Sequence, residues 1–167
     1  FYKKPYEILD IGVNGLLNIL EFCRHKKVKN FFLASSSEVY QNPLKFPTND
    51  MEMLKIPDMH NPRYSYGGGK IFSELYGLHF AKKYLKKFII FRPHNVYGKD
   101  MGNDHVIPEF IHRIKQIKKN TNCKIQGSGT EIRSFIYIDA FINYFDKIFK
   151  KGKNIEIYNI YTIEKIK

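Results

Sequence analysis

Tyr66 and Lys70 stand four residues apart in "NPRYSYGGGKIFSELYG", the stretch from Asn61 to Gly77. On a helix that spacing places a phenol and an amine on one face, one turn apart. A phenol titrates at about pH 10, too high for a base at neutral pH, and a nearby ammonium lowers that value by favouring the phenolate. Such a pair is expected to act as a general base towards a sugar hydroxyl. The plain alternative is an amphipathic helix with a Tyr and a Lys at its edge. Three glycines, 67 to 69, separate the pair, each costing a helix interior about 1 kcal/mol relative to alanine. Residues without side chains let other groups approach the backbone, so either a flat cofactor or an adjoining loop is expected there. A phosphate loop is excluded: that pattern needs a glycine five positions before Gly69 and Ser or Thr after Lys70, and Tyr64 and Ile71 occupy those places. "SSSEVY" adds Ser35, Ser36, Ser37 and Glu38. A serine there can hydrogen-bond the oxygen that Tyr66 would deprotonate, although a polar turn would use the same residues.

These groups need elements to hold them. Pro5 to Lys27 reads as an amphipathic helix, with Ile8, Ile11, Leu16, Leu20 and Cys23 at helical spacing. "VKNFFLASSS" then reads as a buried parallel strand emptying into the serine loop. Gln41 to Arg63 carries four prolines and reads as loop. Tyr66 to Tyr84 is predicted helical, with Ile71, Leu75, Leu78 and Phe80 apolar. Lys86 to Pro93 is predicted to be a second strand, followed by the loop "HNVYGKDMGND". A helix over Val106 to Lys119 follows, with Pro108 in its first turn. Short strands are expected at Lys124 to Ile125 and Ile132 to Ile138, around "QGSGT". A helix over Asp139 to Lys150 with Asp139 as N-cap and a strand over Ile155 to Asn159 complete the reading. Alternating helices and strands predict an α/β fold with a parallel sheet. Chemistry in such sheets gathers at the carboxyl ends of strands, where "SSSEVY" and "HNVYG" stand.

The 167 residues suffice for one core, and 43% are hydrophobic. The net charge of +12 raises nucleic acid or an anionic membrane as partner. The lysines are scattered in pairs and only five basic residues are Arg, which argues for a solvated lysine surface and against both. An anionic small-molecule substrate suits the charge equally. Cys23 and Cys123 lie far apart with no CxxC, so no metal site or disulfide framework is expected, and a reducing, cytoplasmic compartment fits. The chain opens at Phe1 on a segment that reads as mid-helix, and a fragment of a longer protein is expected.

Taken in order, "ASSSEVY", YxxxK after a Pro-rich loop, "FRPHNVYG", "HVIPEF" and "GSGTEIRSFIYID" resemble the NAD-dependent epimerase/dehydratase family. These are extended short-chain dehydrogenases/reductases acting on nucleotide sugars. The likeness covers nearly the whole chain, including "DIGVNGLLNILEFCRHKKVKNFF". It implies a Rossmann-like, doubly wound parallel sheet. Residues 1–100 would form the later half of the dinucleotide-binding domain, and 101–167 part of a substrate lobe with a strand returning to the sheet. By resemblance, Tyr66 is the catalytic base, Lys70 holds the nicotinamide ribose, and Ser36 is the catalytic hydroxyl. Ser35 lies at the cofactor and His94 at the nicotinamide end of NAD. Ser37 and Glu38 occupy the two positions that subdivide the family, with an acid at the second common in members that dehydrate or decarboxylate. Asn95 and the backbone at Val106 would contact the diphosphate, and Arg133 a phosphate. The family's GxxGxxG is not among these residues, nor is the end of the substrate lobe. Gly12, Lys99 and Asp139–Ala140 depart from the pattern. The implied activity is NAD-dependent oxidation at sugar C4, followed by epimerisation, or alternatively by 4,6-dehydration or decarboxylation. A homodimer built through the first helix and the Tyr66 helix is implied for the intact protein. An inert piece or a basic binding module is the non-enzyme alternative.

Overall fold

The computed structural model describes residues 3–103, 105–117 and 133–162. Helix α1 (Pro5–His25) begins with proline in its first turn and ends with Arg24 and His25, which suits the missing donor of proline and the helix dipole. It leads to β1 (Asn30–Ala34) and a short 3-10 turn, Ser37–Val39. After the long loop, α2 (Ser65–Tyr84) carries the chain to β2 (Lys87–Pro93) and the two-residue β3 (Val96–Tyr97). Helix α3 (Val106–Gln116), β4 (Ile136–Tyr137), α4 (Ile138–Lys151) and β5 (Glu156–Ile160) follow.

The main sheet runs β1-β2-β5, all parallel, with Leu33 opposite Ile90 and Phe91 opposite Tyr158. Strands β3 and β4 form a second parallel pair. Alternation along β2 builds two cores. Phe88 and Ile90 face Leu16, Leu20, Leu33 and Ala81. Ile89 and Phe91 face Ile136, Ile148 and Ile160 on the other side. Helices therefore cover both faces, as a parallel sheet requires, and the doubly wound expectation is met.

Some local expectations need correction. Ile11, expected inside, is 74% exposed; α1 buries Leu16, Leu20 and Cys23 instead. Leu75 is likewise exposed, because α2 buries Gly67, Gly69, Ser73, Glu74, Gly77 and Ala81. A face of small residues lets α2 lie close to its neighbours. The Gly77 position shows how close: a Cβ there would stand 2.8 Å from the ring of Phe88. Asp139 sits in the first turn of α4, but Tyr137 is the N-cap, because the backbone leaves β4 directly into the helix. "HNVYG", expected as loop, contains β3, which pairs with β4. The expected strand at Lys124 to Ile125 lies outside the described residues, as does Ile132.

Candidate active site

The serine loop and the Tyr66 helix meet at the carboxyl end of β1. Ser36 caps the 3-10 turn, its hydroxyl accepting the Glu38 N–H at 3.2 Å. The same hydroxyl stands near the Tyr66 phenol and acts on it in the direction that favours the phenolate. Burial opposes it and pushes the phenol above its usual range, with the Glu38 charge adding to the rise.

Lys70 takes a different position from the one expected. Its Nζ donates to the Ala34 carbonyl at 2.8 Å and lies 5.6 Å from the centre of the Tyr66 ring. The two residues do share a face of α2. Burial lowers the Lys70 pKa, opposed by the carboxylate of Glu74 one turn further on. The expected lowering of the phenol is thus corrected: desolvation dominates it, and the ammonium is aimed at the end of β1.

The glycines between them face neighbouring chain. A Cβ on Gly67 would lie 2.7 Å from Gln41 Nε2 and 3.0 Å from the Glu38 carbonyl oxygen. Gly68 faces Ile56 of the loop, and Gly69 faces Leu9 of α1. Of the two occupants expected, the adjoining loop is the one present, and it brings Glu38 and Ser36 against α2.

A cavity of about 410 Å³ opens beside Tyr66 and is bounded by three elements. Ser36, Ser37 and Glu38 form one wall, and His94 and Asn95 after β2 form another. His105, Val106 and Ile107 close the third at the start of α3, with Met101 and Phe135 nearby. Asn95 Nδ2 is engaged by the Ser134 carbonyl at 2.8 Å, a bond that braces the β3–β4 pair. Ser35 and Arg133 do not line this cavity. Ser35 is buried with its hydroxyl on the Glu74 carboxylate, and Arg133 is exposed.

His94 packs against Tyr161 at 5.4 Å between ring centres. Its Nε2 is the one buried side-chain polar atom without a partner among the described residues. Burial lowers its pKa from 6.5 to about 4. The ring is therefore neutral in the fold at pH values where the unfolded chain is protonated. Its contribution to stability is complete above about pH 6.5 and lost as the pH falls towards 4. The ring-proton resonances of His94 are expected to hold steady between about pH 8 and pH 5.5. A titration centred in that interval would show that the ring is solvated.

One assembly escaped sequence reasoning. Arg92, 1% exposed in the apolar β2, grips Glu74 with Nε to Oε1 at 2.8 Å and Nη2 to Oε2. Its Nη1 reaches the Tyr40 hydroxyl and, at 2.8 Å, the Asp50 carbonyl. Tyr40 donates on to Asn159 of β5 at 2.9 Å. The available signals were Glu74 one turn after Lys70 and an arginine inside an apolar strand. No metal-holding group of His, Cys, Asp or Glu occurs among the described residues, and no described helix is long and apolar enough to cross a membrane.

Comparison with known proteins places this arrangement. A dTDP-D-glucose 4,6-dehydratase of Dictyostelium discoideum is 30% identical over 96% of this chain and 38% of its own length. A UDP-glucuronate 4-epimerase of Thermodesulfobacterium geofontis is 33% identical over 82% of this chain and 40% of its own. The crystal structure of a UDP-glucose 4-epimerase from Thermotoga maritima, with UDP-glucose, superposes with a TM-score of 0.81 at 27% identity, covering 98% of this chain and 52% of that one. The chain thus spans about two fifths of the length of these curated relatives. The model of the NAD dependent epimerase/dehydratase family matches residues 2–163, and the chain belongs to that family.

Proposed function

We propose that the intact protein oxidises the 4-hydroxyl of a nucleotide sugar at the Tyr66 cavity. The observation that supports this most directly is that Ser36 and Tyr66 line one cavity, with the Ser36 hydroxyl acting on the phenol in favour of the phenolate. In this reading Tyr66 takes the proton of the sugar 4-hydroxyl. The Ser36 hydroxyl passes its hydrogen bond to the substrate oxygen and holds that oxygen against the base. NAD, the family's cofactor, would supply the hydride acceptor when bound. The residues present suit its nicotinamide ribose: Lys70 has an ammonium at the end of β1, and His94 keeps an unsatisfied nitrogen in the cavity wall. Val106, at the N-terminus of α3, would meet the diphosphate with free backbone N–H groups. Arg133 would reach a phosphate from outside this cavity. Residues 1–100 serve as the later half of the cofactor domain and 101–167 as part of the substrate lobe. The buried thiol of Cys23 suits a reducing cytoplasm.

Glu38 favours a second step. Epimerisation needs no further acid or base, whereas loss of a group next to the new ketone needs one. Glu38 lines the cavity and its charge already acts on the phenol. The test is product analysis with dTDP-glucose, UDP-glucose and UDP-glucuronate on the NAD-loaded protein. Substitution Glu38→Gln should lower an elimination by about 100-fold and leave an epimerisation within about threefold. Retention of NAD with no turnover of any sugar nucleotide would leave a binding module and sink the enzyme reading.

The exposed faces of α1 and α2 suit self-association. Ile11, Ile19 and Phe22 are exposed on α1, as are Leu75 and Tyr76 on α2. We infer a homodimer joined through both helices. Sedimentation of the intact protein should show a dimer, and Ile19→Asp combined with Leu75→Asp should give a monomer. A monomeric wild-type protein contradicts the inference.

A further inference from the structure

We propose that Glu74 is the positioning residue of this site: held by Arg92 from β2 and Ser35 just after β1, it fixes α2 along the sheet and so sets the reach of Lys70 and Tyr66. The proposal rests on the functional reading above for its catalytic consequence, but not for its structural one.

Leu78 and Phe80 pack the later half of α2 against the apolar cluster, but the half that carries Tyr66 and Lys70 has little of that kind to fix its position. Gly67, Gly69, Ser73, Gly77 and Ala81 make a smooth surface. Bulky ridges normally lock a helix into the grooves of its neighbour, and before Leu78 the fully buried positions of α2 other than Glu74 are all Gly or Ser. Sliding by one residue would move the helix about 1.5 Å. That would break the 2.8 Å bond from Lys70 to the Ala34 carbonyl and carry Tyr66 along the wall of the cavity it shares with Ser36.

Glu74 supplies the missing stop. Its two carboxylate oxygens meet the planar guanidinium of Arg92 in a fork, a geometry with little freedom to slide. One oxygen also accepts the Ser35 hydroxyl. Ser35 is next in sequence to Ser36, so the same carboxylate ties the serine loop to the helix that carries Tyr66. The far side of Arg92 is fixed in turn by Tyr40 and the Asp50 carbonyl. Tyr66, Lys70 and Glu74 thus form three successive turns of one face, of which the deepest is clamped.

A buried ion pair is a poor device for stability alone, since apolar residues of similar size often serve as well or better. Its directionality is what apolar packing lacks. The groups that bear on Glu74 are Arg92 from β2, Ser35 just after β1, Tyr40 after the 3-10 turn, and Lys70 on its own helix. Those that bear on Lys70 are the Ala34 carbonyl, the Tyr66 ring and Glu74.

The test uses the double variant Glu74→Leu/Arg92→Met in the intact protein. Thermal unfolding, turnover of dTDP-glucose or UDP-glucose, and acetic anhydride labelling of Lys70 against pH are measured together. The expected result is near wild-type stability with kcat down about 100-fold and KM within about threefold, the scale of a misplaced reacting group. The Lys70 labelling midpoint should fall, because the carboxylate that supports the ammonium is gone. A folded double variant with wild-type kcat and an unmoved labelling midpoint overturns the proposal. If the double variant does not fold, Ser35→Ala removes one of the grips and is read in the same way. A kcat reduced about tenfold supports the proposal, and wild-type turnover overturns it. If the wild-type protein turns over no sugar nucleotide, the functional reading has failed, and the labelling midpoint alone decides the positioning role.

Discussion

Substituting Tyr66→Phe should lower kcat for the nucleotide sugar by about 1,000-fold while the protein stays folded. The ring keeps its place at the start of α2, half-buried beside the serine loop. Only the hydroxyl goes, and with it the proton acceptor and the partner of Ser36. Loss of one hydrogen bond costs the fold about 1 kcal/mol, too little to unfold a domain. KM should change little, because Ser37, Glu38 and the start of α3 still line the cavity. Chromatography of the sugar-nucleotide products measures the effect. A Phe variant retaining a tenth or more of wild-type turnover would remove Tyr66 from the chemistry. The base would then be sought among the other titratable cavity residues, Glu38, His94 and His105.

The largest effect on stability is expected from Arg92→Met. The side chain is 1% exposed, and its partner Glu74 is 4% exposed. Removing the guanidinium leaves a carboxylate in the interior with only the Ser35 hydroxyl to satisfy it. Breaking one side of such a pair typically costs about 3–5 kcal/mol. In a chain of this length that lowers the unfolding midpoint by about 10 °C. Adding Glu74→Leu to Arg92→Met should recover most of the loss, since both charges are then gone. Thermal unfolding followed by circular dichroism measures both. An Arg92→Met protein as stable as wild type would mean that water reaches the carboxylate and the pair is not buried in solution.

The strands and helices around the site were legible because each has a local pattern. "FFLA" and "FIIF" are apolar runs that end in polar loops, and β1 and β2 stand there within a residue or two. The site corner followed from those loops, because parallel strands deliver their carboxyl ends to one edge. The inner face of α2 was not legible. Glycine, serine and alanine carry no hydrophobic periodicity, so Leu75 and not Gly77 looked buried. Strand β3 is two residues long, too short for alternation to register. The Arg92–Glu74 pair joins residues 18 apart, and no rule of local spacing connects a strand to the helix before it. The direction of the Lys70 amine was also hidden, since helical spacing gives the face but not the acceptor at the end of β1.

Strand β2 lends alternate side chains to both apolar clusters, Phe88 and Ile90 to one and Ile89 and Phe91 to the other. Neither cluster can therefore melt while its counterpart stays intact. The layer under the two glycine-rich helices and the layer under α4 share a single cooperative fate, and a lesion beneath α4 is felt at the serine corner through the strand between them.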